Sequence, residues 1–275
     1  MISIIIPVGD DTWFSECIRR IWDTAGSVIK EIVVIRDPDR RGPAWARNRG
    51  LEKATGNYVF FCDADDIVGD LKALITAPAA DLVVGSFVKE GLLNAVVKDF
   101  SVSTVVDKDG LKDYVRKNLA NPRTHQMLSG CWGKLFKRSI IERCGIRFNE
   151  RLRTAEDLDF NFEYLKNCET VCFIPQIVYR YRKRAGSLTM RPDAGMLDVL
   201  TVLKKLEPYG DIGQSFIYHA ALYVKRAPWL ASVVMEDPEF KRHIRRYVPA
   251  KGNYRLLPWL MRLGVPKLAE WGARL

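Results

Sequence analysis

Histidine is scarce in this chain, with three in 275 residues: His125, His219 and His243. None sits in an HExxH pattern or a recognisable triad, which disfavours a zincin or a Ser/His relay. The six cysteines, Cys17, Cys62, Cys131, Cys144, Cys168 and Cys172, form no CxxC pair. Buried reduced thiols are the expectation, rather than a zinc site or a disulfide framework. No stretch approaches the ~20 apolar residues needed to cross a bilayer, and the opening MISIIIPVGDD carries no basic leader. A cytoplasmic protein is expected. Internal repeats and low-complexity linkers are also lacking. Catalysis in such a chain must lean on carboxylates.

What is present supports a folded enzyme-sized body. Hydrophobic residues make up 48% of the chain and charged residues 28%, an ordinary balance for a globular protein with room for one large or two small domains. The net charge of +10 is concentrated at one end. Residues 241–275 hold nine Lys/Arg against the single acid Glu270, a local net of +8.

The most informative stretch is YVFFCDADD at 58–66, an apolar run that empties into Asp63, Asp65 and Asp66. Such runs suit buried strands of parallel sheets, and ligands of open α/β sheets bind beyond the carboxyl ends of those strands. Acids crowded there repel one another unless a cation is shared between them. Mg²⁺ or Mn²⁺ carrying a substrate phosphate fits that need. A turn in which Asp65 or Asp66 caps the next helix is the structural alternative.

Around this motif the first third alternates strand and helix signals: strands at 2–8, 31–35 and 58–62, helices at 13–24 and from Gly42-Pro43 to about Ala54. Alternation of this kind predicts βαβ units and a mostly parallel sheet with helices on both faces. A fourth strand is expected at 81–87 and antiparallel strands within 96–106. Further on come a short helix near 139–144, a helix over 156–167 and two strands at 170–174 and 177–182. Beyond Gly195 the pattern turns wholly helical. The expected domains are a catalytic body over 1–192 and a basic, amphipathic helical region over 193–275.

Four segments, SIIIPV at 3–8, GPAWARNRGLEKATGNYVFFCDADD at 42–66, EDLDF at 156–160 and YRYRKRAGSLT at 179–189, together resemble glycosyltransferase family 2, the nucleotide-sugar-dependent enzymes of GT-A fold. The resemblance implies an inverting transferase that moves a sugar from a nucleoside diphosphate, with uridine diphosphate sugars favoured, to a hydroxyl of a saccharide or lipid-linked saccharide. Lack of a QxxRW segment favours single addition over processive synthesis. By the same resemblance, Asp65 and Asp63 match the Asp-x-Asp metal ligands, with Mn²⁺ or Mg²⁺ as cofactor. Pro7, Val8, Asp37, Arg47, Asp63, Ala64, Arg184 and Ser187 fall where the nucleotide sugar is held. Arg36 departs from the usual acid pair after the second strand, and only Pro38 to Arg41 precede the Gly42-Pro43 helix.

Asp157 matches the general base, with Glu156 beside it. Its competing reading is local, because Thr154 and Asp157 have the spacing of a helix capping box. Trp132 is a candidate platform beneath an acceptor sugar and Lys134 a candidate contact to donor or acceptor, although a core tryptophan is as common.

The tail beyond about Tyr247 interleaves cations with Leu256, Leu257, Trp259, Leu260 and Trp271. It suits an anionic membrane surface, here the inner face, or packing on the body or on a twin subunit in a homodimer. Its charge also admits a non-catalytic binder of polyanions. The acid clusters oppose that reading, and no nucleic-acid partner is expected. A metal-dependent nucleotidyltransferase is the remaining alternative.

Overall fold

The computed structural model describes residues 1–9, 12–90, 95–122, 126–182 and 197–244. Its strands are β1 (Ile2–Val8), β2 (Ile29–Arg36), β3 (Tyr58–Phe61), β4 (Ile67–Val68), β5 (Leu82–Lys89), β6 (Ala95–Val97), β7 (Thr104–Val106), β8 (Lys134–Lys137) and β9 (Val171–Tyr181). Its helices are α1 (Phe14–Ala25), α2 (Pro43–Lys53), α3 (Leu71–Ile75), α4 (Lys108–Ala120), α5 (Arg138–Arg143), α6 (Glu156–Leu165), α7 (Asp198–Lys204), α8 (Gly213–Arg226), α9 (Ala231–Glu236) and α10 (Pro238–Ile244). Two compact units emerge, residues 1–111 with 126–185, and residues 112–125 with 186–275.

The first unit is built on one sheet in the order β2-β1-β3-β8-β5-β9-β4, with β6 beside β5 and β7 beside β9. This is the expected α/β architecture, a central sheet flanked by helices. Within it the pairing is mixed. β1 runs parallel to β2 and β3, and β5 parallel to β9. The short β8 enters antiparallel between β3 and β5, so the two parallel halves are joined through an inverted strand. The expected break between strands at Pro175 and Gln176 is a bulge inside one continuous β9, where the register against β5 shifts after Gly85. Proline cannot donate to the ladder, and a bulge accommodates it.

β1 earns its central place by composition. Ile2, Ile4, Ile5 and Ile6 are fully buried, as expected of a strand covered on both faces. α2 lies against it closely because Ala44, Ala46 and Gly50 are small; a Cβ on Gly50 would fall 2.2 Å from Cγ2 of Ile5. That approach carries Arg47 and Asn48 into the interior. On α1, Cys17 and Ile21 are buried as the helical spacing predicts, but Trp22 is 53% exposed.

Beyond β3 an aromatic cluster fixes the neighbouring elements. The Phe61 ring lies 5.2 Å from Phe148 and 5.5 Å from Phe160, and Phe148 stacks on Phe160 at 4.0 Å. Aromatic pairs of this kind contribute about 0.5–1.5 kcal/mol beyond their burial. They hold the start of α6 beside the end of β3, which is where the acids are.

The second unit is helical in its described residues. Leu203, Phe216, Ile217, Ala220, Val224, Leu230, Val234 and Phe240 are buried. Among the described residues no helix is long and apolar enough to cross a membrane. The basic tail expected to meet a membrane surface or a twin subunit lies, from residue 245 onward, outside the described residues.

Gly50→Ala tests the packing of α2. A mid-helix Gly→Ala change ordinarily stabilises by about 0.5–1 kcal/mol. Here overpacking against Ile5 should lower stability by about 1–3 kcal/mol, read as a fall in Tm; a raised Tm would contradict the close approach.

Candidate active site

The chain leaves β3 at Phe61 and turns at once, with the Asp66 amide donating to the Asp63 carbonyl at 3.1 Å. Asp66 is only 2% exposed. Its two oxygens accept from the Tyr179 hydroxyl at 2.7 Å and from the Arg182 amide at 2.8 Å. The same hydroxyl accepts from the Asp63 amide at 3.1 Å. Tyr179, near the end of β9, therefore pins both ends of the acid turn. Burial first, then the Asp63 charge, pushes the Asp66 carboxyl up to about 9. Asp66 is structural, while Asp63 and Asp65 remain partly exposed and Ala64 between them is buried.

Arg47 is the centre of the site. Only 3% exposed, it places Nη2 2.8 Å from Oδ1 of Asp63 and Nη1 3.0 Å from Oε1 of Glu156. Nη1 also lies 2.9 Å from Oδ1 of Asp157. The latter contact is off hydrogen-bonding geometry, and that oxygen is buried without a hydrogen-bond partner. The Phe148 ring sits 5.4 Å from the guanidinium carbon. The three carboxylates outweigh the cost of burial and hold the guanidinium proton above its usual range. One cation among three acids leaves negative charge uncompensated. Burial and the Asp157 charge push Glu156 up to about 7. Asp63 is likewise raised, by burial first and by the charges of Asp157 and Asp65.

The residue after Arg47 secures the other half of the site. Asn48 donates to the Phe148 carbonyl at 2.9 Å and to Glu150 Oε1 at 2.9 Å, and accepts from the Phe148 amide at 2.8 Å. It thereby clamps the loop leading to α6. That helix begins at Ala155 in the left-handed region (φ 64°) without a side-chain cap. The acids of the first turn, Glu156 and Asp157, gain the favourable helix-dipole field in addition to their contacts with Arg47. Asn161 of the same helix donates to the carbonyls of Leu128 at 2.6 Å and Gly130 at 2.9 Å, fixing the segment that carries Cys131 and Trp132.

Trp132 and Lys134 lie on the segment that Asn161 fixes and on the strand that follows it. Trp132 is 8% exposed, stacked on Tyr179 at 4.7 Å and lying nearly parallel to Tyr181 at 5.8 Å. The Phe87 ring meets it edge-on at 4.7 Å. Lys134 is buried; its Nζ donates to the Gly130 carbonyl and, at 3.3 Å, to the Trp132 carbonyl. Burial lowers its pKa to about 8. Both side chains are thus buried and braced by their neighbours.

On the other flank, Pro7 and Val8 end β1 in register with Ile35 and Arg36. The Asp37 carboxylate accepts from the amides of Arg41 at 2.9 Å and Gly42 at 2.7 Å. It organises the short turn in which Arg40 (φ 55°) and Gly42 (φ 104°) take positive φ. Arg184 and Ser187 lie outside the described residues.

A divalent cation suits this chemistry. Asp63 and Asp65 offer hard carboxylate oxygens, and the crowding that raises Asp63 is what a cation would relieve. Sequence reasoning missed Tyr179 as the tie across the acid turn and Asn48 as the clamp; neither signals its role until β9 and the 148–150 loop are brought alongside.

Comparison with known proteins gives a consistent picture. A family model described as glycosyl transferase family 2 matches residues 18–143. An uncharacterised glycosyltransferase of Bacillus subtilis, EpsJ, is 26% identical over 230 residues, covering 72% of this chain and 65% of its own length. The chain spans less than two thirds of the length of the first curated relatives it matches. Among solved structures, Staphylococcus aureus TarS (residues 1–349) in complex with UDP-GlcNAc superposes with a TM-score of 0.62 at 17% identity, covering 99% of this chain and 87% of that one. The mannosyltransferase PcManGT of Pyrobaculum calidifontis, in complex with GDP-Man and Mn²⁺, gives a TM-score of 0.53 at 14% identity over 98% and 87% of the two chains.

Two substitutions test the geometry. Arg47→Met leaves three acids facing one another and should cost about 3–5 kcal/mol of stability. Carboxyls held above their unfolded pKa contribute stability only at low pH and lose it as pH rises. The deficit should therefore shrink between pH 8 and pH 5; a pH-independent deficit would contradict the cluster. Ala155→Gly relieves a left-handed alanine that costs about 1–2 kcal/mol. It should raise Tm, and an unchanged or lower Tm would remove the strain from the account.

Proposed function

We propose, on the premise that the chain belongs to glycosyltransferase family 2 and adopts a GT-A fold, that it is an inverting glycosyltransferase. The donor is a nucleoside diphosphate sugar, most suitably a uridine diphosphate sugar. The acceptor is a hydroxyl of a saccharide or lipid-linked saccharide, and one residue is added per encounter. The single observation that carries this reading is Arg47, which ties the donor-side acid Asp63 to Asp157 on α6 within contact distance. The likeness to a UDP-GlcNAc complex supports the donor class, and the likeness to a GDP-Man and Mn²⁺ complex supports the cofactor.

In this mechanism Asp65 and Asp63 would hold Mn²⁺ or Mg²⁺. A bound ion of this kind supplies charge neutralisation to the departing diphosphate. Arg47 keeps Asp63 ionised and turned toward the donor, and Pro7 and Val8 border the nucleotide. Asp157 receives the acceptor proton as the hydroxyl attacks. A general base must lie within hydrogen-bond reach of that proton and be free to take it. Asp157 is given this role by its match to the family's candidate base. Its side chain is partly exposed, and with Oδ1 buried 2.9 Å from Arg47 Nη1 the other carboxylate oxygen would take the proton. Glu156 Oε1, by contrast, accepts from Arg47 at 3.0 Å. Glu156 then adjusts the local charge and orients Arg47. Arg184 and Ser187 are assigned to the donor diphosphate through the RAGSLT match alone.

A thermal-shift screen of nucleoside diphosphates and their sugars with Mn²⁺ should raise Tm for at least one ligand, since a ligand bound only by the native state stabilises it. Asp157→Asn should lower transfer by at least about 10³-fold while leaving donor affinity and Tm nearly unchanged, a range consistent with loss of a general base. Turnover retained by Asp157→Asn would remove it from the mechanism.

A further inference from the structure

The helical unit contains a second group of metal-capable side chains, far in sequence from the acid turn. Glu207, Glu239 and His243 place ligand atoms within 4.8 Å of one another. Glu239 and His243 are four residues apart on α10 and so share one helix face. His243 is 8% exposed, and its Nε2 is buried without a hydrogen-bond partner although Oε2 of Glu239 lies 3.2 Å away. The ring is seated by its surroundings. A Cβ on Gly213 would fall 2.7 Å from Nδ1, so only glycine leaves room for the imidazole. Asp211, whose Oδ1 accepts from the Gly213 amide at 2.8 Å, stands 3.9 Å from the same nitrogen. Nε2 thus faces the Glu239 carboxylate while Nδ1 faces that of Asp211, and Glu207 completes the group. A cleft of about 460 Å³ opens on this group, lined in part by Glu207, Asp211, Arg242 and His243.

We propose that Glu207, Glu239 and His243 bind a first-row divalent cation, with Zn²⁺ the best match and water from the cleft completing the coordination. One imidazole nitrogen with two carboxylate oxygens is a mixed N/O set that suits Zn²⁺, whereas Mg²⁺ and Ca²⁺ prefer oxygen alone. Asp211 stands where an outer carboxylate fixes the tautomer of a metal-bound histidine. Arg242 is the competitor. Its Nη1 lies 2.9 Å from Oε1 of Glu207 and 3.2 Å from Oε2 of Glu239. Its side chain is largely exposed and able to swing out, and the three acids outnumber it. The ion would join the turn at residues 207–209 to α10, stapling two elements distant in sequence. Its consequence is stability of the helical unit, independent of glycosyl transfer.

The test is calorimetric titration of Zn²⁺ into the full chain after chelator treatment, in an Asp65→Ala background that weakens the acid-turn site. One saturable site is expected. Glu239→Gln and His243→Ala should each weaken it at least tenfold, and Glu207→Gln, at an exposed position outside the packed helices, should do the same. Arg242→Gln should tighten it by removing the competing cation. Absent Zn²⁺ uptake would overturn the assignment, and so would equal uptake by the parent, Glu207→Gln and Glu239→Gln proteins. Weakening by Arg242→Gln would count against it in the same way.

Discussion

One buried guanidinium holds the acidic half of this protein together. Arg47 reaches Asp63 from one side and Glu156 and Asp157 from the other. Those acids come from two places more than ninety residues apart in the chain. A buried charge tolerates desolvation only when paired and hydrogen-bonded. Here the pairing is shared among three partners, so no acid is fully neutralised. The site is left with surplus negative charge in a partly buried setting, which favours the approach of a hard cation.

The surrounding packing exists to make that contact. Small residues on α2 let it sit against β1, which brings Arg47 inward. Asn48 clamps the 148–150 loop, and the Phe61, Phe148 and Phe160 rings fix the start of α6. The left-handed Ala155 stores a little strain immediately before the two acids, a placement found where local geometry is dictated by function rather than by helix stability. On the opposite side Tyr179 fastens the acid turn through one hydroxyl.

Much of this was legible before any coordinates. β1 and β3 announce themselves as buried strands by unbroken apolar runs, and α2 by the Gly42-Pro43 start. The Asp-x-Asp and Glu156-Asp157 pairs were legible as acids, and Arg47 as a residue tied to them. Long-range geometry was not. The inverted β8 has only four residues and no periodic signal of its own, so nothing local sets its direction. Pro175 reads as a strand break because the bulge that absorbs it depends on pairing with β5. The stacking of Trp132 on Tyr179 and Tyr181 is likewise a long-range contact that no local pattern announces. Asp66 shows that an acid near the site can be spent on backbone and hydroxyl donors.

The most direct measurement of the account is a thermodynamic cycle on the acid cluster. Groups in one charge network are non-additive, with coupling of about 0.5–3 kcal/mol. Combining Arg47→Met with Asp63→Asn and Glu156→Gln removes the repulsion that the arginine restrains. The account predicts that the triple variant recovers most of the stability lost by Arg47→Met alone. Strictly additive losses would mean that Arg47 is held by packing and not by these acids, and would contradict the shared-charge site.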